Sequence, residues 1–488
     1  MRSTHMSEKR TVFLTGASGA WGRHVLAQLR DTDLDVVALV LPTPADLAVI
    51  EELRWLRLTV VEGDLTDYDT VARCVSVADV VLHVGAVVSP TADAHPELAR
   101  KVNVGSMRNI VRAVSALPDP GAVSVVGIGS VAETGNRNQP VHWGRVGDPI
   151  RVSHFDEYGQ TKVEAERILV ESGLPRWTWL RQTGIFHPGM LQIRDPIMTH
   201  SPFHGVMEWV TAQDAARLLV GLCDPAAPQD VWGAIWNIGG GQEWRLTNWQ
   251  LQTAVSGALG VKDVRRWYDR SWFATQNFHG QWYSDSDALD ALVPFRRDTF
   301  SDAMARARAA QPPVVRMAGK VPAWIVKKLV MEPISRQPRG TMSYVRSNDT
   351  EGVDAFFGSR LQWESIGDWS TFVPPSPSRT PTLLDHGYDE TKDVAEWTRD
   401  DLAQAADFRG GAFLGTVGTG GPTFLDPATW RCAEGHGFAV SPFLVLKGGH
   451  WCPLCVRDTA GYLRQAEHNP FLAQVELAQL DGRLAAAR

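Results

Sequence analysis

No apolar run in this chain reaches the roughly 18 residues that a bilayer-spanning helix needs. The opening stretch Met1–Met6 also lacks the apolar core of a secretory signal, and reads as an expression remnant ahead of a native start at Met6. No membrane partner is therefore expected. Cysteine is scarce: Cys74, Cys223, Cys432, Cys452 and Cys455 are all there are. An odd number, three of them crowded near the C-terminus, does not make a disulfide framework. It fits a reduced, cytoplasmic protein with one metal site. An excess of positive charge is missing too. The formal charge is −7, which gives no reason to expect a nucleic-acid partner, since phosphate binders carry a basic face. A local basic patch around Lys327 and Lys328 stays open. No internal repeat is present.

What is present is globular. Hydrophobic residues make up 44% and charged residues 21%, and 488 residues exceed one ordinary core and suit two or three domains. The 19 tryptophans read mostly as core or interface anchors. The first third alternates short apolar runs with amphipathic stretches. Strands are predicted at Thr11–Thr15, Asp35–Leu41, Leu58–Glu62, Asp79–Val84, Ala122–Ile128 and Trp177–Arg181, and helices at Trp21–Arg30, Glu97–Leu117 and Tyr158–Ser172. Near-continuous apolar strands separated by helices predict an α/β fold: a doubly wound parallel sheet with its ligand crevice at the carboxyl ends of the strands. From about Gly184 the alternation becomes irregular, with a strand at Ile235–Gly241 and a helix at Asn248–Gly260 in a smaller lobe. Val373–Pro381 is Pro/Ser-rich and reads as a linker or extended arm, and Gly410–Gly421 as a mobile loop. A helix closes the chain near Phe471–Ala487.

Thr15-Gly16-Ala17-Ser18-Gly19-Ala20-Trp21-Gly22 stands between the first strand and the first helix. Glycines there allow a tight turn and close approach of backbone to a pyrophosphate, and the helix N-terminus offers unpaired N–H groups. Alone, such a loop could be a plain strand–helix turn. Two further signals accompany it. Gly63-Asp64-Leu65 follows the third strand, where an acidic residue can accept from an adenine amino group. His83-Val84-Gly85-Ala86 follows the fourth, where small residues let a cofactor lie against the backbone.

These motifs resemble the extended short-chain dehydrogenase/reductase family over roughly residues 9–315. The resemblance implies a Rossmann-type core at about 9–185, a substrate lobe at about 186–315, and an NAD or NADP cofactor held by Gly16, Ser18, Gly19, Ala20, Trp21, Gly22, Asp64, Leu65, Val84, Gly85 and Ala86. The second strand runs into Val40-Leu41-Pro42-Thr43, which shows neither the acidic residue of NAD users nor the arginine of NADP users. Arg23 could reach a phosphate or simply face solvent, so the choice stays open.

Tyr158-Gly159-Gln160-Thr161-Lys162 puts a phenol and an ammonium on one helical face. A free phenol has a pKa near ~10, and a neighbouring cation favours its ionised form, bringing it into range for proton transfer. By resemblance, Ser130 holds the substrate oxygen, Tyr158 exchanges its proton, Lys162 binds the nicotinamide ribose, and Asn103 supports them. The reaction this implies is hydride transfer between a nicotinamide and a secondary alcohol or ketone. Two alternatives stay open: a nonredox epimerase, dehydratase or lyase holding its cofactor tightly, and a cofactor-sensing or scaffold protein. Glu133 is either an extra acid/base group or a polar loop residue. His142, Trp143, Gln182, Thr183, His187, Met207 and Trp209 are substrate-pocket candidates. As a group they suggest a hydrophobic or cyclic small-molecule substrate. A homodimer is expected.

Residues 316–425 form a mixed extension, and 426–488 hold Cys432-x3-His436, then fifteen residues, then Cys452-Pro-Leu-Cys455. Three thiolates and one imidazole complete a tetrahedral, closed zinc site of structural kind. His450 is the rival fourth ligand. The spacing resembles zinc-ribbon or treble-clef knuckles.

Overall fold

The computed structural model describes residues 9–192, 195–415 and 424–486. The expected start at Met6 and the second half of the Gly410–Gly421 loop, from 416 onward, lie outside the described residues.

Seven parallel strands make the central sheet: β1 (Thr11–Thr15), β2 (Asp35–Val40), β3 (Leu58–Glu62), β4 (Val80–His83), β5 (Ser124–Ser130), β6 (Trp177–Gln182) and β7 (Ala234–Ile238). Their order is β7-β6-β5-β4-β1-β2-β3. Alternation along β1 shows why both faces are covered. Phe13 points into one core with Val37, Ile110, Val125 and Leu169. Val12 and Leu14 point into the other with Val25, Leu26, Val36 and Leu219. The order reverses between β1 and β4, so a crevice opens at their carboxyl ends. This is a Rossmann-type doubly wound sheet.

The observed strand bounds shift by a residue or two from those predicted. The main difference is β7, expected in the lobe, which pairs parallel with β6 as the sheet's edge. Among the helices that went unpredicted are α2 (Pro44–Glu52), α3 (Tyr68–Val75) and α6 (Ala212–Gly221). Each starts at a side-chain cap, from Thr43, Asp67 and Thr211 respectively. The predicted Glu97–Leu117 helix is a short turn (Pro96–Ala99), a π segment (Arg100–Val104) and the helix α4 (Gly105–Ser115). Helices α1 (Gly22–Leu29) and α5 (Glu157–Val170) lie close to their predicted places.

Residues beyond the sheet build two further bodies of structure against it. The lobe's aromatic core, with Phe203, Trp244, Trp267 and Phe273, also takes in Met331 and Ile334 from the extension. The Pro/Ser-rich segment is an extended arm. Its Ser378 carbonyl accepts from Trp143 Nε1 at 3.0 Å and bonds His142 Nε2 at 2.9 Å. Near the C-terminus a three-stranded antiparallel sheet (Ala412–Phe413, Ala428–Arg431, Gly437–Val440) places Trp430, Leu444 and Trp451 in one core with Leu169 and Trp177. The closing helix runs Pro470–Ala486.

Candidate active site

The glycine-rich loop is built by backbone contact. Gly16 has φ +71, and a side chain there would meet the Gly85 backbone at 2.7 Å. Gly85 in turn faces Gly16 and the Leu65 side chain, so three predicted segments converge where a nucleotide would lie. Thr15 Oγ1 accepts the Gly85 N–H at 2.9 Å and bonds His83 Nδ1 at 2.9 Å. Burial holds His83 neutral, its pKa pushed down to about 3. Asp64 is exposed beyond β3 and accepts the Thr66 N–H at 2.8 Å.

Next to this loop is a residue that the strand-two pattern missed. Ser18 Oγ donates to Asp46 Oδ1 at 2.6 Å, and Thr43 Oγ1 donates to Asp46 Oδ2 at 2.5 Å. The two hydroxyls hold the carboxyl below its usual pKa. The signal was Thr43-Pro44-Ala45-Asp46, a helix start that carries the acid six residues past β2. Arg23, His24 and His187 gather near the start of α1, where burial first and the Arg23 charge second lower the pKa of both imidazoles. His187 therefore belongs to the nucleotide side rather than the substrate pocket.

Ser130 ends β5 and caps the short turn Val131–Glu133, its Oγ accepting the Ala132 N–H at 3.2 Å. Its hydroxyl also bonds the Tyr158 phenol. One turn along α5, the Lys162 ammonium is buried and donates to the Ile128 carbonyl at 2.7 Å, 5.7 Å from the Tyr158 ring centre. Asn103, in the π segment, donates to Thr161 Oγ1 on α5 at 2.9 Å and bonds both backbone groups of Val87. The structure thus brings Ser130, Tyr158, Lys162 and Asn103 together at the crevice. Burial raises the Tyr158 phenol above its ordinary value; Ser130 opposes this, and Glu133 and Asp156 add to it. Burial also lowers Lys162 to about 8.

The start of α5 is held by two acids that sequence reasoning passed over. Asp156 accepts the Gly159 N–H at 2.8 Å and pairs with His279 at 3.0 Å. Asp93, in the short helix Thr91–Ala94 after β4, accepts the Glu157 N–H at 3.1 Å and pairs with Arg339 at 3.0 Å. Beside them lies a chamber walled by Ser153, Phe155, His200, Phe278, Tyr344 and Phe356. Tyr344 stacks on both Phe155 and Phe356, which meet each other at a tilt. Of the pocket candidates, Met207 and Trp209 line a neighbouring cleft with His279. His142 and Trp143 are instead covered by the arm. Gln182 and Thr183 stand buried at the end of β6, where Gln182 Oε1 and Thr183 Oγ1 have no hydrogen-bond partner among the described residues.

Comparison with known proteins agrees with this geometry. Residues 16–224 match the NAD(P)H-binding family model. Human 3 beta-hydroxysteroid dehydrogenase type 7 is 28% identical over 215 residues, 40% of this chain and 55% of that protein. Residues 16–224 are thus an NAD(P)H-binding domain that resembles short-chain dehydrogenase/reductases. Short-chain dehydrogenase/reductase family 42E member 1 of Macaca fascicularis is 26% identical over 200 residues, 38% of this chain and 48% of that protein. The chain spans about half the length of the curated relatives it matches. Among solved structures, DesIV, a dTDP-glucose 4,6-dehydratase from Streptomyces venezuelae with NAD and TYD bound, is 21% identical with a TM-score of 0.48, covering 64% of this chain and 98% of that one. At that level it bears on neither reaction nor substrate.

Behind Ser130, Tyr158 and Lys162 lies a buried ionic cluster. Arg181 on β6 pairs with Glu166 on α5 at 2.7 Å and with Glu133 at 3.2 Å. His450 Nε2 lies 2.9 Å from Glu166 Oε1. Glu133 is therefore neither a free acid/base group nor a loop residue facing solvent.

His450 is thereby engaged away from the cysteines, and His436 joins them instead. Its Nδ1 lies 3.5 Å from the sulfurs of Cys432, Cys452 and Cys455, and Cys432 and Cys455 sulfurs are 3.7 Å apart. A tetrahedral zinc with bonds of about 2.3 Å to sulfur and about 2.0–2.1 Å to nitrogen has ligand–ligand edges of about 3.8 and 3.6 Å. The donor set and its edges fit such an ion.

Proposed function

We propose that this protein is an NAD-dependent oxidoreductase interconverting a secondary alcohol and a ketone on a small hydrophobic or cyclic substrate. The observation that carries the reading is the convergence of Ser130, Tyr158 and Lys162 beside the Gly16–Gly85 backbone contact. Gly16, Gly19 and Gly22 would take the pyrophosphate, with Arg23 close by. The unpartnered Gln182 and Thr183 oxygens suit the polar end of a nicotinamide. Asp46 beside Ser18 favours NAD: an ionised acid there accepts from a ribose hydroxyl and repels a 2′-phosphate.

A bound nicotinamide supplies the hydride acceptor or donor. The chain's own groups handle the proton and the geometry. Ser130 Oγ bonds the substrate oxygen and fixes its distance from Tyr158. In oxidation Tyr158, as the phenolate, would take the hydroxyl proton and become the phenol, and in reduction the phenol would give that proton to the substrate oxygen. The stacked Phe155, Tyr344 and Phe356 exclude water and favour an apolar ring system. Glu133, the extra carboxyl that a nonredox reaction could use, is held by Ser130 N and Arg181, which supports the redox reading. The Cys432, His436, Cys452 and Cys455 cluster is proposed to hold one structural zinc, with no open coordination position.

Titration with NAD(H) and NADP(H), then a screen of hydrophobic alcohols and ketones by nicotinamide absorbance, tests this. The expected result is turnover with NAD that Tyr158→Phe abolishes while nucleotide binding persists. Tight binding without net redox on any substrate would move the assignment to a nonredox enzyme. Failure of folded protein to bind either nucleotide would end it.

A further inference from the structure

The segment that leads into the extension has a composition unlike the rest of the chain. Between Asp302 and Glu332 there is no acidic residue, yet there are six cations: Arg306, Arg308, Arg316, Lys320, Lys327 and Lys328. The chain as a whole has 48 basic residues against 55 acidic. The same segment exposes large apolar side chains. Val314 is 77% exposed, Trp324 67% and Leu329 70%, with Met317 and Val321 also exposed. Isolated exposed apolar residues are ordinary; a run of them interleaved with cations marks an interaction surface.

The exposure follows from the fold. Val315, Ala318, Ala323, Val326 and Val330 pack inward on the lobe's aromatic core, and Met331 is buried in it. Gly319 N–H donates to the Leu259 carbonyl at 2.9 Å, and the Gly319 and Gly260 backbones touch with no room for a side chain between them. The inward residues thus fix which ones face out. Lys327 and Lys328 are paired, with Asp269 at 2.6 Å and Glu332 at 3.3 Å. Among the described residues Arg316 and Lys320 have no acidic partner.

We propose that this face, residues 313–331, docks on an anionic lipid surface. Val314, Met317, Val321, Trp324 and Leu329 would enter the headgroup layer, and Arg316 and Lys320 would meet lipid phosphates. Charge decides between occupants. A symmetric contact with a second copy would set cations against cations, whereas an anionic bilayer complements them. Indole suits the boundary between water and acyl chains, and long basic side chains lay their stems on apolar surface with the charge in the headgroups. The absence of a spanning run, from which no membrane partner was expected, does not bear on a peripheral contact. The inference is independent of the redox reading.

Vesicle flotation of the full chain tests it. The probes are phosphatidylcholine vesicles with and without about 30% phosphatidylserine. Wild type is expected to float with the anionic vesicles and to be released by about 0.5 M salt. The double variant Trp324→Glu, Leu329→Glu is expected to bind at least about tenfold more weakly. Arg316→Glu with Lys320→Glu should abolish the preference for anionic lipid. All four positions are exposed, so unchanged unfolding midpoints establish that the variants are folded. Absence of wild-type binding, or equal binding by the Trp324/Leu329 variant, overturns the proposal. So does self-association that this variant dissolves in the absence of any vesicle binding, which would make the face an interface between copies.

Discussion

Glu133 Oε1 accepts the backbone N–H of Ser130 at 2.7 Å, deep in the protein where neither carboxyl oxygen meets water. The contact sets the end of β5, and with it the position of the Ser130 hydroxyl. Burial and the nearby Glu166 push the Glu133 carboxyl well above its usual pKa, while Arg181 holds Glu166 low. The two directions favour the protonated form of Glu133 beside an ionised Glu166.

That assignment predicts unequal effects of similar substitutions. Glu133→Gln keeps an acceptor for Ser130 and a donor for Glu166, so stability should change by less than about 1 kcal/mol. Glu133→Ala leaves the Ser130 N–H unpaired and should cost about 1–3 kcal/mol. Glu166→Gln strips Arg181 of its counter-charge and should cost more, about 3–5 kcal/mol. Denaturant unfolding of the three variants checks the order. A Glu133→Gln as damaging as Glu166→Gln would contradict the proton's placement.

The cofactor end gives a second prediction. With Asp46 ionised beside Ser18, NAD should bind better than NADP. Asp46→Ser removes the charge and should weaken NAD and strengthen NADP, shifting the ratio of affinities by about tenfold or more. Fluorescence titration of both reduced nucleotides reads it directly. An unchanged ratio would place the ribose recognition elsewhere.

The parallel sheet was legible because strands buried on both faces are continuous apolar runs, and period-two alternation could then be ignored. The Gly16 turn, Ser130, Tyr158 and Lys162 were legible because each sits at a strand end or on one helical face, where spacing along the chain is spacing in space. Asp46 was missed because a two-proline turn and a helix start displaced it from the end of β2. Asp93, Arg339 and Tyr344 reach the chamber from segments far apart in sequence, and no local pattern ties Arg339 to α5. His142 and Trp143 were misplaced for the same reason: the arm that covers them lies more than 200 residues downstream.

Lys162 makes stability depend on pH in a defined direction. Burial lowers its pKa from 10.5 to about 8. Between those values the unfolded chain holds a proton that the folded protein does not, so stability rises with pH across that window. Below about 8 the folded protein carries the full cost of a buried ammonium, on the order of 3 kcal/mol. Lys162→Met removes that cost and loses one hydrogen bond to Ile128, worth about 1 kcal/mol. The variant should be inactive and, at neutral pH, about 1–2 kcal/mol more stable than wild type. Its advantage should shrink as pH rises towards 10. Chemical unfolding at several pH values measures the difference, and a constant difference would show that burial does not lower the Lys162 pKa.

The metal cluster yields the last prediction, and the contacts between its module and α5 give it reach. Gln160 Nε2, between Tyr158 and Lys162, donates to the Val456 carbonyl at 2.9 Å, one residue past Cys455. Arg181 Nη2 donates to the Gly448 carbonyl at 2.7 Å, in the turn that leads to Cys452. A closed three-cysteine, one-histidine zinc site contributes its binding energy to folding, about 10–16 kcal/mol for structural zinc peptides. Purified protein should therefore contain about one zinc per chain. Cys455→Ser or His436→Ala should lower the unfolding midpoint by several degrees, and hydrogen exchange should quicken in Pro453–Arg457 and then in α5. If exchange quickened only in the module, its role would be confined to bracing itself. Metal-free protein with an unchanged midpoint and unchanged exchange would instead show that the four ligands pack as thiols and imidazole alone, and that Gln160 and Arg181 hold α5 without help from an ion.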